Sequence, residues 1–128
     1  MSKLHHLAIT TTDIGKSAPV YDAVLGILGY TRGCTSDELY AWVGPNPEIL
    51  LYAVEGQDSS VHTHGRPGAH HFAFEVESHE TVEAVHRAAV EGDWIVVHPP
   101  SKYDYSPGYF AVFVTDPASG VRWEVACV

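Results

Sequence analysis

The sequence contains few of the residues that would assign it to several common classes of protein. Only two of its 128 residues are cysteines, Cys34 and Cys127, which excludes a disulfide framework and suits a reducing compartment. Neither cysteine has a neighbouring histidine or basic cluster in the sequence, so we interpret both as packed thiols. Lys and Arg number 7 against 16 Asp and Glu, and the formal net charge of −9 argues against nucleic acid or an anionic membrane surface as a partner.

Long apolar runs are also missing from the chain. No run approaches the roughly 18 residues that a membrane-spanning helix needs. The first residues, MSKLHHL, lack the apolar core of a signal peptide. We therefore expect a cytoplasmic protein with no membrane partner.

Histidine, by contrast, is abundant, with 9 residues in the chain, and part of this excess lies in a repeat. The segments LHHLAITTTD, residues 4–13, and AHHFAFEVES, residues 69–78, share the order His-His-apolar-Ala-apolar. Both alternate apolar and polar residues in the manner of a strand. Such a duplication predicts two copies of one supersecondary unit.

The first half reads as a strand, a helix and three further strands. The helix is predicted over roughly 15–28, with its first regular turn near Ser17 because Pro19 fits only close to a helix start, and with its end at Gly29. Strand-like segments follow at about 30–35, 38–44 and 48–54. The segment 55–68 has the composition of a linker, and we interpret its HTHGR as a solvated loop; a second metal site at His62 and His64 is the alternative.

The second half has the same order. Ser78 is predicted to cap a helix that runs to about Val90, with Gly92 directly after it. WIVVH, YFAVFVT and VRWEVACV are predicted strands. The expected fold is therefore α+β, with one domain over 1–128 built from paired βαβββ modules at 1–56 and 66–128.

Strand alternation identifies three candidate ligands. In each copy of the repeat, the second histidine shares a face with a small alanine, whereas bulky apolar side chains occupy the opposite face. A histidine beside a small residue suits the wall of a cavity. The last strand places Glu124 on the face opposite Trp123 and Val125. The pattern therefore predicts matching positions for His6, His71 and Glu124.

Each of these residues has an ordinary structural interpretation, because a lone histidine near a strand start is more often a packed or surface residue than a ligand. Their coincidence on matching faces favours a metal site. Two imidazoles and one carboxylate can hold a divalent transition metal, and this set is typical of non-haem Fe(II). If the strand register is displaced by one residue, His5 and His70 become the ligands instead.

The segments HLAITTTDIGKSAPVYDAVLGILGY, HHFAFEVES and DPASGVRWEVACV resemble the vicinal-oxygen-chelate superfamily of glyoxalase I, extradiol dioxygenases and fosfomycin- and bleomycin-resistance proteins. The resemblance covers essentially the whole chain. It implies that the paired modules curl a mixed sheet around a cavity, that the protein is a homodimer and that His6, His71 and Glu124 hold a divalent ion, with Fe, Mn, Ni, Zn and Co all open.

A glyoxalase I-like site would also have a carboxylate on the last strand of the first module. Matching EILLYAV to RWEVAC places Leu51 opposite Glu124, with Glu48 and Tyr52 outside that register. Leucine cannot bind a metal. The three remaining ligands match the pattern of extradiol dioxygenases.

Other polar residues are candidates for contact with a substrate. The loop SKYDYSPGYF, residues 101–110, supplies Tyr103, Tyr105 and Tyr109, which either line the cavity or pack over the sheet edge. We assign catalytic roles to Tyr103 and Tyr109 and to Glu75, which shares a face with His71 and is the candidate base. The further candidates for substrate binding are Tyr105, Tyr52, His98 and Arg122.

Two functions follow from these residues, and the sequence leaves both open. The first is a metal-dependent enzyme that chelates a small substrate through two adjacent oxygens, for ring-cleaving oxygenation, isomerisation or lyase-type proton transfer. The alternative is a non-catalytic binding protein of the drug-sequestering kind, with an aromatic cavity. A degenerate member that binds nothing strongly is the third possibility.

Overall fold

Strand and helix order repeats once along the chain. A computed structural model describes all of residues 1–128, and the chain divides into two compact units, Met1–Val61 and His62–Val128. The first unit contains β1 His6–Thr11, α1 Ile14–Ile27, β2 Thr31–Thr35, β3 Leu39–Val43 and β4 Glu48–Ala53. The second contains β5 Phe72–Val76, α2 His79–Glu91, β6 Ile95–Lys102, β7 Phe110–Thr115 and β8 Arg122–Cys127.

Each unit has one four-stranded mixed sheet of the same topology. The strand orders are β1-β4-β3-β2 and β5-β8-β7-β6, with the first and last strand of each unit parallel and the other neighbours antiparallel. This arrangement confirms the predicted α+β fold of paired βαβββ modules. Neither helix is long and apolar enough to cross a bilayer.

The core of the first unit lies between α1 and its sheet. Tyr21 and Leu25 of α1 are buried with Trp42 of β3, and Trp42 donates its indole N–H to Asp22 at 2.9 Å. Burial of these side chains stabilises the unit by about 25 cal/mol for each Å² of apolar surface removed from water.

Register in β4 corrects the predicted counterpart of Glu124. Ala8 of β1 pairs with Leu50, and the equivalent Ala73 of β5 pairs with Glu124, so Leu50 and not Leu51 occupies the matching position. Leu51 is fully buried in the core, whereas Leu50 is half-buried on the opposite face. Since Leu50 also lacks a metal-binding atom, the absence of a carboxylate at this position stands.

Helix α1 starts earlier than Pro19 led us to expect. It begins at Ile14, because the Asp13 side chain caps it by accepting a hydrogen bond from the backbone N–H of Lys16 at 3.1 Å. Pro19 therefore lies inside the helix, where it removes one backbone hydrogen bond that the cap and the buried face offset. The predicted end at Gly29 agrees with its left-handed φ of 94°.

The second unit buries one face of α2 against its sheet. Ser78 caps α2 by accepting from the backbone N–H of Thr81 at 3.2 Å, as predicted, and Gly92 follows its last residue. Trp123 of β8 packs between Phe72 and Phe74 of β5, with ring centroids 5.5 Å away in both cases. The apolar face inferred from alternation is therefore the packed face, and Ala73 and Glu75 on the other face are exposed.

Strand β6 extends beyond its predicted end at His98. It continues through Pro99 and Pro100 to Lys102, with irregular pairing to β7 on both sides of His98. An edge strand tolerates proline because one row of its backbone groups has no partner strand. His98 pairs with Phe113 within this strand rather than ending it.

The HTHGR segment is a loop with Thr63, Gly65 and Arg66 exposed, as its composition indicated, but His62 anchors it to the rest of the unit. The backbone N–H of His62 donates to the carbonyl of Ser119 at 3.0 Å, and its Nε2 lies 3.0 Å from the carbonyl of Ala69. Gly120, the residue after Ser119, has a φ of 78°. A Cβ atom at this position would lie 1.8 Å from the carbonyl oxygen of His62, so the two segments are in close contact. These contacts are made across a long stretch of sequence, which explains why composition did not predict them.

The cysteine assignment is also corrected at one position. Cys34 is exposed on β2 rather than packed, whereas Cys127 is partly buried at the end of β8. All residues of β2, an edge strand of the first sheet, are exposed.

Candidate functional site

The site of the second unit is centred on His71 and Glu124. Nε2 of His71 lies 3.1 Å from Oε1 of Glu124, whose side chain is 4% exposed. His71 directly precedes β5, and Glu124 lies on β8, the parallel neighbour of β5. The same sheet pairing that buries Trp123 on one face thus places an imidazole and a carboxylate together on the other.

A second histidine holds His71 from the other side of its ring. Nδ1 of His70 lies 2.7 Å from Nδ1 of His71, and the first unit repeats the arrangement with 2.9 Å between Nδ1 of His5 and Nδ1 of His6. In each pair one nitrogen donates and the other accepts. Both pairs leave Nε2 of the second histidine as the ring nitrogen that is not shared within the pair.

Tyr109 holds the second oxygen of the carboxylate. Its hydroxyl donates to Oε2 of Glu124. Burial and the hydrogen bond to the Glu124 carboxylate raise the pKa of Tyr109 to about 12. The phenol therefore stays protonated at neutral pH and keeps its proton directed at Glu124 rather than at a substrate.

These groups line a cavity of about 370 Å³. The rings of Tyr103 and Tyr105 stack at 5.3 Å with an interplanar angle of 4°, and Tyr109 stands edge-on to both. Phe113 lies behind them, with its centroid 5.8 Å from that of His71 and 5.5 Å from that of His98. The walls are therefore largely aromatic, and the His71 and Glu124 pair lies among these rings.

Arg122 is the cation of this cavity. It lies two residues before Glu124 on β8 and lines the same cavity, yet it forms no ion pair, and its Nε is buried without a hydrogen-bond partner. Desolvation, followed by the charges of Arg122 and His70, lowers the pKa of His64. The positive charge of Arg122 therefore acts on the imidazole of His64, and no carboxylate forms an ion pair with it.

The donor set fits a divalent ion. Two ligands bound to one ion at about 2.1 Å lie roughly 3.0 Å apart in octahedral geometry and 3.4 Å in tetrahedral geometry. The 3.1 Å between His71 Nε2 and Glu124 Oε1 falls within that interval. Neither unit by itself gathers three His, Cys, Asp or Glu side chains in an arrangement that could hold a metal ion. The third predicted ligand, His6, belongs to the first unit.

The cavity brings together most of the residues that the sequence singled out. Its lining includes His71, His98, Tyr103, Tyr105, Tyr109, Arg122 and Glu124. Glu75 is exposed and does not line it, and Tyr52 is an exposed residue of the first unit.

Sequence reasoning missed Phe113 and gave His70 only a supporting role. Both line the cavity. Strand β7 is apolar on both faces, so alternation could not show which of its side chains face the cavity. Phe113 pairs with Glu124 of β8, and this pairing directs the Phe113 side chain into the site.

The chain has two mixed sheets of identical topology, each with one helix, and an aromatic cavity with an imidazole–carboxylate pair. These features define a paired-module protein of the glyoxalase type. The chain belongs to the Glyoxalase/Bleomycin resistance protein/Dioxygenase superfamily, whose family model matches residues 3–125. Among curated protein sequences, none matches this chain.

Solved structures share this fold at low sequence identity. A glyoxalase/bleomycin resistance protein from Albidiferax ferrireducens T118 is 23% identical, with a TM-score of 0.80 and coverage of 98% of each chain. A glyoxylase/bleomycin resistance protein/dioxygenase domain from Frankia sp. EAN1pec is 20% identical, with a TM-score of 0.79 over 99% of this chain and 98% of that one. Lactoylglutathione lyase from Agrobacterium tumefaciens is 19% identical, with a TM-score of 0.66 over 98% and 93%. At these identities the likeness shows the fold alone.

Proposed function

We propose that the protein is a metal-dependent enzyme in which His6, His71 and Glu124 hold a divalent transition metal that chelates a small substrate through two adjacent oxygens. The observation that carries the proposal is the 3.1 Å separation of His71 Nε2 and Glu124 Oε1 in an aromatic cavity. When bound, the metal supplies Lewis acidity toward the substrate oxygens.

The chain's own groups prepare the ligands for this role. Tyr109 donates to one oxygen of Glu124 and leaves the other free to face His71. Once Nε2 of His71 is a ligand, its proton resides on Nδ1, where His70 can accept it at 2.7 Å. Each ligand of the second unit therefore has a partner that fixes its orientation, which reduces the entropy lost on binding.

The ligand types favour one reaction class over the others. Two imidazoles and one carboxylate are the donor set of non-haem Fe(II) oxygenases. Leu50, at the position that matches Glu124, provides no fourth ligand for glyoxalase-type chemistry. We therefore place ring-cleaving oxygenation ahead of isomerisation and of lyase-type proton transfer, and we include a homodimer in the proposal.

Calorimetric titration with Zn²⁺ of chelator-stripped, tag-free protein tests the ligand set. The proposal predicts one site per chain in the wild type, loss of that site in His6→Ala, His71→Ala and Glu124→Gln, and its retention in His86→Ala, a histidine of α2 outside the cavity lining. Full retention of the site in the three ligand variants would contradict the proposal. Loss in His5→Ala and retention in His6→Ala would move the ligands to the alternative register.

The aromatic lining favours a second candidate, a non-catalytic protein that sequesters an aromatic compound. Tyr103, Tyr105 and Tyr109 would form the trap, and metal would play no part. The same titration separates the two candidates, because a sequestering protein binds no stoichiometric Zn²⁺.

A further inference from the structure

Arg122 is the one Lys or Arg side chain that lines the cavity, and its charge has no partner. Its Nε is buried without a hydrogen bond. A buried N–H of a charged group that lacks an acceptor costs more free energy than an ordinary unpaired donor. An anion that enters the cavity would give the Arg122 guanidinium the ion pair that it lacks.

The nearest carboxylate does not serve as this acceptor. Glu124 lies on the same face of β8, but His71 faces one of its oxygens and the Tyr109 hydroxyl donates to the other. No second carboxylate lines the cavity. Apart from Arg122 and Glu124, the ionisable groups of the cavity lining are three imidazoles and three phenols: His70, His71, His98, Tyr103, Tyr105 and Tyr109. Around Arg122 the cavity therefore favours an anion over a cation.

The remaining walls select the shape of such an anion. The parallel rings of Tyr103 and Tyr105 and the ring of Phe113 present flat surfaces against which a planar molecule can pack. A volume of about 370 Å³ is near the lower end of ligand cavities, whose usual range is roughly 300–1,000 Å³. A molecule with one ring fits this space.

We infer that the substrate carries a carboxylate in addition to its adjacent oxygens, and that Arg122 binds this carboxylate while the planar body of the substrate packs on the tyrosines. The inference rests on the proposed function for the adjacent oxygens only. A single guanidinium presents parallel N–H donors that match one carboxylate fork, whereas a phosphate dianion would call for further cations that this cavity lacks.

A matched pair of ligands tests the role of Arg122. Protocatechuic acid and its primary amide share a ring and two adjacent hydroxyls and differ in one negative charge. Calorimetric titration of the Zn²⁺-loaded chain at neutral pH compares their affinities in the wild type, in Arg122→Gln and in Arg87→Gln. Arg87 is an exposed residue of α2, and its substitution removes the same charge away from the cavity.

The wild type is expected to prefer the acid by about ten-fold or more. Arg122→Gln should bind both ligands equally, through loss of affinity for the acid alone, and Arg87→Gln should keep the wild-type preference. Equal affinities in the wild type, a preference that survives in Arg122→Gln, or no binding of either ligand by a chain that holds Zn²⁺ would overturn the inference. If Arg122→Gln does not fold, Arg122→Lys decides, because an ammonium keeps the charge and should retain part of the preference.

A second pair of ligands distinguishes a failure of the metal site from a failure of the Arg122 inference. Benzoate and benzamide lack adjacent oxygens, so chemical-shift titration of the metal-free chain with this pair reports on Arg122 alone. A preference for benzoate that Arg122→Gln abolishes supports the inference even when no Zn²⁺ binds, whereas equal binding of the two contradicts it.

Discussion

Nε2 of His71 and Oε1 of Glu124 approach each other to 3.1 Å, although 52 residues lie between these two residues in the chain. Parallel pairing of β5 with β8 produces this contact. The separation matches that of two ligands on one metal ion. His71 is also hydrogen-bonded to His70, and Glu124 accepts a hydrogen bond from the Tyr109 hydroxyl.

Removal of the Tyr109 hydroxyl should weaken metal binding without unfolding the protein. In Tyr109→Phe the ring packing is kept and Glu124 loses the donor to its Oε2. Loss of such a supporting hydrogen bond typically weakens metal affinity by about ten- to hundred-fold. Zn²⁺ titration measures the change, and Tyr105→Phe, an exposed neighbour on the same cavity, is the control. Equal affinities of Tyr109→Phe and the wild type would exclude a supporting role for the hydroxyl.

The raised pKa of Tyr109 predicts a loss of stability in strongly alkaline solution. Burial and the Glu124 carboxylate raise this pKa to about 12 from 10.0, so the native state retains the phenol proton when the unfolded state has lost it. The resulting stabilisation is complete below pH 10 and disappears as the pH rises toward 12. Ultraviolet titration should show one phenolate step near pH 12 that is absent from Tyr109→Phe. A difference spectrum with that step near pH 10 would contradict the assignment.

The register of β4 predicts opposite results for two adjacent leucines. Leu50→Glu places a carboxylate on a half-buried position of the face that matches Glu124, so the protein should fold and bind metal more tightly. Leu51→Glu buries an unpaired carboxylate in the core, which costs roughly 4 kcal/mol or more. Thermal unfolding compares the two variants. A folded Leu51→Glu together with an unfolded Leu50→Glu would restore the register inferred from sequence.

Gly120 should resist substitution more strongly than another glycine of similar backbone conformation. Gly120→Ala meets the His62 carbonyl oxygen at 1.8 Å, in addition to the strain of a positive φ. Gly65→Ala, with φ 93° and open space, has the strain alone, about 1–2 kcal/mol. Chemical denaturation should therefore show a clearly larger loss for Gly120→Ala. Equal losses would mean that the 62–70 segment is not packed on the 116–120 turn.

The repeated His-His segments predicted the two modules and the faces of β1 and β5. Small and bulky side chains alternate in these strands, so the amino-acid sequence alone indicates which face is buried. The packing of Phe72 and Phe74 agrees with that prediction. In β4 the adjacent Leu50 and Leu51 interrupt this alternation. Only pairing with β1 shows which of the two is buried, and the prediction was displaced by one residue.

Contacts between distant segments account for the other differences. The hydrogen bond from His62 to Ser119 and the alignment of Phe113 with Glu124 depend on tertiary pairing, for which a single sequence holds no local signal. Likewise, the exposure of Cys34, which it shares with every residue of β2, has no signal in the neighbouring sequence. The candidate residues could be named from the sequence because their chemistry is visible there, whereas the hydrogen bonds that orient them could not.

Elemental analysis of tag-free protein, purified without added metal or chelator, tests the central claim most directly. The account predicts close to one divalent transition metal per chain, and a loss of most of that metal in His6→Ala, His71→Ala and Glu124→Gln at unchanged folding. Wild-type protein with only traces of metal, or variants with the same metal content as the wild type, would contradict it.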